Sequence, residues 1–297
     1  MPFLYKFTLG EDKEALPFVG SGEMASLIYH DIFDFPLTAS ELIHWSVGKD
    51  GILEKLITPT IETKKGFYFI KGKEGIIYKR ILRERISERK IKIAKKAASI
   101  LKIIPSIKML AITGALSMKN ASEDSDVDFL IVTKKGSLWT TRLITLVMLT
   151  ILRFPMRKFG DKNQKDKLCL NMWLDEGVLV WDKEKRNIFT SHEIAQIRPL
   201  IDKDETYRKF IKKNSWIKKY WPNAIYMTHE PRVVNYGQHK KSVARRTLFI
   251  FQLMEKLAFW LQYRYMKKKI TREIVLPTRA IFHPHDWSQV VLNQLTT

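Results

Sequence analysis

The sequence has very little cysteine and no long apolar run. Its one cysteine, Cys169, excludes an internal disulfide framework and a cysteine-rich zinc module, and it suits a reducing, cytoplasmic setting. The longest apolar segment, "LITLVMLTIL", lies between Arg142 and Arg153 and is much shorter than the roughly 18–20 residues of a membrane-spanning helix. We therefore expect a buried helix there and no membrane span. We also expect no secretory signal, because the first residues lack a basic stretch followed by an apolar one.

Acidic residues are scarce relative to basic ones. The 297 residues include 52 Lys and Arg against 31 Asp and Glu, which gives a formal net charge of +21. Such a balance favours a polyanionic partner such as nucleic acid, because basic surfaces attract phosphate backbones. The apolar fraction of 45% is that of an ordinary globular protein. The length allows two domains or three small ones.

The first region, residues 1–105, predicts a winged-helix-like module followed by a long basic helix. Helical patterns cover "MASLIYHDIFDF", "PLTASELIHWS" and "KDGILEKLI", and the second pattern has the capping-box pair Thr38 and Glu41. "IETKKGFYFIKG" predicts a hairpin around a Lys-Lys-Gly turn. Three helices followed by a hairpin resemble a winged helix. Residues 75–104 then predict one helix with an apolar stripe and a strongly basic face, which is our candidate surface for nucleic acid.

The rest of the chain predicts two further regions. Residues 106–185 alternate strands and helices, which indicates an α/β-type core with a mixed sheet. Its strands are "IKMLAIT", "DVDFLIVT" and "LCLNMWL", and its long apolar helix begins with Ser137 as the cap. Residues 186–297 show helical periodicity and predict a C-terminal helical domain. The predicted fold class is therefore α+β.

Carboxylates are concentrated in "EDSDVDFLIVT", at the start of an apolar strand. Residues two apart in a strand project to the same face, so Asp126 and Asp128 lie side by side while Val127 and Phe129 point into a core. Two adjacent carboxylates repel each other unless a cation lies between them. A hard divalent ion, Mg²⁺ or Mn²⁺, takes oxygen ligands and shares them with substrate phosphates. The pair therefore predicts a metal site.

A glycine stands at the end of the preceding strand. Gly114 opens the short helical turn "ALSMKN", where the absence of a side chain lets the backbone approach a phosphate closely. Ser117 is a candidate hydroxyl donor to the same phosphate. Ser125 is a candidate either for nucleotide contact or for the cap of a turn.

The stretch "TGALSMKNASEDSDVDFLIVT" resembles the signature of the DNA polymerase β-like nucleotidyltransferase superfamily. The resemblance implies that Gly114 is the phosphate-loop glycine and that Asp126 and Asp128 bind metal. It also implies attack by a substrate hydroxyl on the α-phosphorus of a nucleoside triphosphate (NTP), with pyrophosphate leaving. Ala115 departs from the pattern, because the family usually has Gly or Ser there. Ser117 is the candidate to replace the missing hydroxyl.

A third carboxylate, which the superfamily takes from a later strand, has three candidates. Asn171 holds the mid-strand polar position of "LCLNMWL", but an amide can ligate a metal and cannot act as a base. Asp175 is in phase with it, at the end of the strand. Glu193 lies on a later helical segment, where a surface role is the simpler interpretation.

The leading interpretation is a metal-dependent nucleotidyltransferase that transfers a nucleotide from an NTP to a hydroxyl acceptor. The acceptor stays open between the 3′ end of a nucleic acid, a small hydroxylated molecule and a protein side chain. The alternative is a nucleic-acid-binding winged-helix regulator with a degenerate, inactive transferase core, which Ala115 and Asn171 both favour. A third possibility is a scaffold whose terminal domains bind a protein partner.

Overall fold

The computed structural model describes six stretches of the chain: residues 20–48, 60–158, 160–225, 245–270, 273–282 and 287–296. Within them the chain forms a mixed α+β fold. The described residues contain nine α-helices and nine strands, and the strands form one three-stranded and one six-stranded sheet.

The smaller sheet belongs to the N-terminal part of the described chain. Its elements are helix α1 (Ser21–Asp31), strand β1 (Leu37–Thr38), helix α2 (Ala39–His44) and strands β2 (Ile61–Lys64) and β3 (Phe67–Ile70). Both β1 and β2 pair antiparallel with β3. Lys65 and Gly66 connect β2 to β3 with φ angles of 53° and 75°, which suit a two-residue hairpin turn. The predicted hairpin is confirmed, whereas the predicted helix "KDGILEKLI" lies outside the described residues.

The capping box at the start of α2 is also confirmed. The Glu41 N–H donates to Thr38 Oγ1 (3.3 Å), and the Thr38 N–H donates to Glu41 Oε2 (3.0 Å). These bonds satisfy two backbone donors that a helix start otherwise leaves without partners. They fix where α2 begins.

Helix α3 (Gly75–Leu101) holds the acid-rich loop in place through one buried lysine. Lys90 is fully buried, and its Nζ donates to the Glu123 carbonyl (3.0 Å), the Ser125 carbonyl (2.7 Å) and Asp166 Oδ1 (2.7 Å). A buried ammonium needs such a complete set of acceptors. The loop that leads to Asp126 is therefore fixed from the α3 side.

The larger sheet contains strands from both the middle and the end of the chain. Its strands are β4 (Ile107–Ile112), β5 (Val127–Thr133), β6 (Leu168–Asp175), β7 (Arg198–Asp202), β8 (Ile274–Leu276) and β9 (Arg279–Ile281). They lie in the order β7-β4-β5-β6-β9-β8, with β5 and β6 parallel and the other neighbours antiparallel. The remaining helices are α4 (Gly114–Ser117), α5 (Leu138–Ile151), α6 (Ile188–Ala195), α7 (Thr206–Lys213), α8 (Arg245–Met266) and α9 (Trp287–Thr296).

Strand β5 separates two apolar cores because its side chains alternate between the faces of the sheet. Leu130 and Val132 join a core that includes residues of α1, α2 and α6. Val127, Phe129 and Ile131 join a second core that includes residues of α3, α5 and α8. Asp128 is in phase with Leu130, so its carboxylate projects toward the first core.

The predicted helical domain over residues 186–297 needs correction. Strands β7, β8 and β9 all lie in that range and complete the larger sheet. They are short, and β7 carries Pro199, which an edge strand tolerates because its outer N–H groups need no partner in the ladder. The stretch "SHEIAQIRPL" therefore divides into the end of α6 and most of β7.

Helix α5 is apolar as predicted and has Ser137 at its N-cap position, but the Ser137 side chain makes no capping hydrogen bond and only one face of the helix is buried. The Trp139 and Thr140 N–H groups donate to Glu255 of α8 at 2.6 and 2.8 Å. Ser137 Oγ instead donates to the Lys134 carbonyl. The outer face of α5 is exposed, with Ile151 at 72%. Among the described residues, no helix combines the length and the apolar content needed to cross a membrane.

Helix α1 contacts α6 through a buried pair of histidines. His30 Nδ1 lies 2.8 Å from the Ser26 carbonyl, so this nitrogen carries the proton. His30 Nε2 lies 3.2 Å from His192 Nε2 and accepts a hydrogen bond from the N–H of that ring. Burial lowers the pKa of His30 to about 4 and the pKa of His192 well below its ordinary value. Both rings are therefore neutral at pH 7.

We expect the free energy of unfolding to decrease as the pH falls from 7 to 5. The unfolded chain protonates its histidines near pH 6.5, while His30 in the fold stays neutral until about pH 4. Protonation therefore favours the unfolded state in this window, by about 2 kcal/mol at pH 5 for His30 alone. Urea unfolding at several pH values measures the effect. A His192→Gln variant should show a weaker pH dependence; a dependence equal to that of the wild type would contradict the assignment.

Candidate metal centre

Two aspartates and a cysteine meet where β5 begins. Asp126 directly precedes the strand, and Asp128 pairs with Cys169 in the parallel register between β5 and β6. One potential ligand atom from each of these residues lies within 4.8 Å of the others. The side-by-side placement of the aspartates follows from strand geometry.

Asp126 has a charged side-chain partner, and Asp128 has neutral ones, Asn171 and the Cys169 thiol. Arg157 Nη1 donates to Asp126 Oδ2 at 2.7 Å and lies 3.8 Å from Cys169 Sγ. Asn171 Nδ2 donates to Asp128 Oδ1 at 2.7 Å. Arg157 thus balances one carboxylate charge, while the other carboxylate has only neutral donors.

Gly114 approaches the second aspartate closely. Its φ of +60° lies in the left-handed region, and a Cβ atom there would lie 3.2 Å from Asp128 Oδ2. The neighbouring Thr113 N–H donates to the Asp128 carbonyl at 3.1 Å. A glycine is therefore favoured both by the left-handed backbone conformation and by the lack of space for a side chain beside the carboxylate.

The protonation states distinguish oxygen from sulfur as a ligand. Burial, and secondly the charge of Asp126, raise the pKa of Asp128 to about 7. Burial also raises the pKa of the Cys169 thiol far above its usual range. A thiol that stays protonated is a poor metal ligand, because the thiolate is the form that binds. The carboxylates are the better ligands.

Asn171 and Glu193 both belong to the surroundings of this pair. Asn171 Oδ1 is buried and has no hydrogen-bond partner within the described chain, next to the amide that binds Asp128. Burial, and secondly the charge of Asp128, raise the pKa of Glu193 to about 7. Glu193 also accepts a hydrogen bond from Gln196 Nε2. The structure thus brings the least favoured sequence candidate, Glu193, into the electrostatic field of the aspartates.

Asp175 does not join the cluster. It pairs with Thr133 at the opposite end of β5 from Asp128. Its carboxylate accepts the N–H groups of Gly136 and Gly177, so it stabilises turns there. The third-ligand prediction for Asp175 is therefore contradicted by its position.

The serines near the centre are engaged in local backbone contacts. Ser117 Oγ donates to the Gly114 carbonyl at 2.6 Å, and Ser125 Oγ donates to the Ser122 carbonyl at 2.9 Å. Each hydroxyl therefore stabilises the turn that precedes it. For Ser125 this is the turn-capping alternative of the sequence prediction. Ala115 is exposed at the start of α4 and offers no side-chain donor.

The donor set fits a hard divalent cation. Asp126 and Asp128 supply carboxylate oxygens, and the unpartnered Asn171 Oδ1 is a third oxygen at the same place. Magnesium and manganese prefer such oxygen ligands, whereas zinc prefers nitrogen and sulfur. The Arg157 guanidinium competes for Asp126, so a bound cation has to share that carboxylate or displace the arginine.

Two contributors to this centre were not anticipated from the sequence. Cys169 shares a strand face with Asn171, and this alternation gives a signal that it lies near the aspartates. Arg157 lies in an irregular segment after α5 and carries no periodic signal. Comparison of the chain with protein-family models, with curated proteins and with solved structures gives no match.

Gly114→Ala should damage the centre in a way that another glycine substitution does not. Alanine at φ +60° costs about 1–2 kcal/mol of stability, and its Cβ presses on Asp128 Oδ2 at 3.2 Å. Gly136→Ala is the matched control, because Gly136 has φ +70° and nothing within 4 Å of the added Cβ. Urea unfolding should show similar losses for both variants. Electron paramagnetic resonance of Mn²⁺ should show weakened binding only for Gly114→Ala, and equal Mn²⁺ binding in both variants would contradict this role of Gly114.

Proposed function

We propose that the chain is a divalent-metal-dependent nucleotidyltransferase. The observation that carries the proposal is the side-by-side pair Asp126 and Asp128 at the start of β5. The Glu193 carboxyl adds to it, because burial and then the charge of Asp128 raise the pKa of that group. Gly114 supports the proposal, because its left-handed backbone and missing side chain let the loop lie close to the Asp128 carboxylate. The oxygen donors fit Mg²⁺ or Mn²⁺, and the substrate is an NTP.

The proposed reaction transfers a nucleoside monophosphate to a hydroxyl. The acceptor oxygen forms a bond to the α-phosphorus, the bond from that phosphorus to the bridging oxygen breaks, and pyrophosphate leaves with the electron pair. When bound, a divalent cation neutralises the charge that develops on the phosphates. Glu193 accepts the proton of the hydroxyl, because a carboxyl with a pKa of about 7 is suited to act as a general base at neutral pH.

Arginine and asparagine at the centre favour a second candidate function. Arg157 already neutralises Asp126, and Asn171 provides an amide where a carboxylate is expected. A winged-helix-like regulator that binds nucleic acid and has an inactive core accounts for both. The small N-terminal sheet with α1 and α2 supports such a module.

A transfer assay separates the two candidates. The protein is incubated with Mg²⁺ or Mn²⁺ and each α-labelled NTP, with RNA, DNA or no added acceptor, beside Asp126→Asn and Asp128→Asn variants. We expect label transfer by the wild type and none by either variant, because each loses a carboxylate charge at the metal. Transfer that persists in both variants would place the activity elsewhere. Neither transfer nor metal-dependent NTP binding by the wild type would favour the regulator.

Glu193 has a test of its own in the pH dependence of the rate. A general base acts only when it is ionised, so the rate should rise as the pH increases through about 7 and then level off. Glu193→Gln should lower kcat about 100-fold or more, leave NTP binding unchanged and flatten this rise. Glu184→Gln, an exposed glutamate, is the control and should behave as the wild type. An unchanged pH profile in Glu193→Gln would remove Glu193 from the mechanism.

A further inference from the structure

A groove runs between helix α3 and strand β7 and has a volume of about 1180 Å³. One wall is formed by α3, and the other by the consecutive residues 195–201, which include the start of the edge strand β7. We call it the α3–β7 groove. No function in the preceding sections accounts for a space of this size.

The lining of the α3–β7 groove is predominantly basic. Three acidic residues line it, but Glu41 and Glu84 both bind Arg80 Nη2 at 2.8 Å, which leaves Glu88 as the acid outside these ion pairs. The other charged lining residues are all basic: Lys92, Lys95, Lys102, Lys119 and Arg198. Lys92 and Lys95 of α3 and Lys102 at its C-terminal cap extend over about 15 Å, given a rise of about 1.5 Å per residue. This row of charge suits a chain of phosphates.

Aromatic side chains line the same groove. His44 is the last residue of α2 and Tyr207 lies in α7, and both residues are partly exposed. Aromatic rings are platforms on which nucleic-acid bases stack, and a basic groove with such platforms is the usual way to bind a single strand. An acidic peptide uses the positive charge but has no need of the flat surfaces.

Two residues of the groove lining are bonded to neighbours of the candidate metal centre. On one side the lining includes Ser117, which is hydrogen-bonded to the Gly114 carbonyl. On the other side it includes Gln196, which donates a hydrogen bond to Glu193. Two lining residues are thus hydrogen-bonded to residues beside Asp128.

We infer that the α3–β7 groove binds a single strand of nucleic acid and directs its end toward Asp128. The role of this strand as the hydroxyl acceptor rests on the proposed function, whereas its binding does not.

The test is the binding of a fluorescein-labelled, eight-nucleotide oligoadenylate, as RNA and as DNA, followed by fluorescence anisotropy in EDTA. Lys92→Glu combined with Lys95→Glu should raise Kd about tenfold or more. The same variant should make the dependence of log Kd on log salt shallower by about 1.4, since each neutralised phosphate of a single strand contributes about 0.7. Lys183→Glu combined with Lys185→Glu, an equal charge change at exposed residues outside the groove, should stay within twofold of the wild type. Circular dichroism checks that both variants fold.

The outcomes separate this inference from the proposed function. Equal weakening by the two double variants, or no binding by the wild type, would overturn the groove as a strand-binding site even if NTP transfer to another acceptor is observed. Strand binding that is lost only in the groove variant supports the inference, and it does so even if no transfer occurs and the proposed enzyme is rejected.

Discussion

The pairing of strand β5 on both edges is the constraint on which the rest of the structure depends. Antiparallel pairing with β4 and parallel pairing with β6 place its apolar side chains in two separate cores. The same pairing encloses the carboxylates at its beginning, where neighbouring side chains have to supply hydrogen bonds that water no longer provides. Arg157 and Asn171 do so, and each of them binds a different aspartate.

The charge balance at this centre connects metal and phosphate. The guanidinium of Arg157 satisfies one carboxylate, so an incoming cation competes with it for Asp126. Under the proposed function an NTP offers the arginine new anionic partners at the moment when the cation arrives. Metal and nucleotide then favour each other's binding. The NTP phosphates neutralise the arginine that the cation displaces, and the cation neutralises the carboxylates that repel the phosphates. The buried Oδ1 atom of Asn171 offers the cation an additional oxygen ligand without adding a further charge.

Local sequence patterns predicted the central elements well. Elements that depend on pairing with distant parts of the chain were not predicted. Strands β4, β5 and β6, helix α5, the hairpin and the Thr38 cap all follow from alternation, periodicity or turn residues within a few positions. Strand β8 pairs with the adjacent β9 across a two-residue turn. The short strands β7 and β9 have no such local signal, because they pair with β4 and β6, which lie far away in the chain. The contacts of Arg157 also depend on distant parts of the chain and have no local sequence signal. The same holds for Glu193, which the sequence predicts as a surface residue and which α6 places in the electrostatic field of Asp128.

Glu255 links two distant parts of the chain through backbone groups rather than side chains. Its carboxylate accepts the first free N–H groups of α5 and carries negative charge to the positive end of that helix dipole. Detachment of α8 therefore leaves α5 without its cap as well as without its apolar contacts. The two helices are expected to open as one cooperative unit, and the amide protons of Trp139 and Thr140 exchange with solvent only when that unit opens.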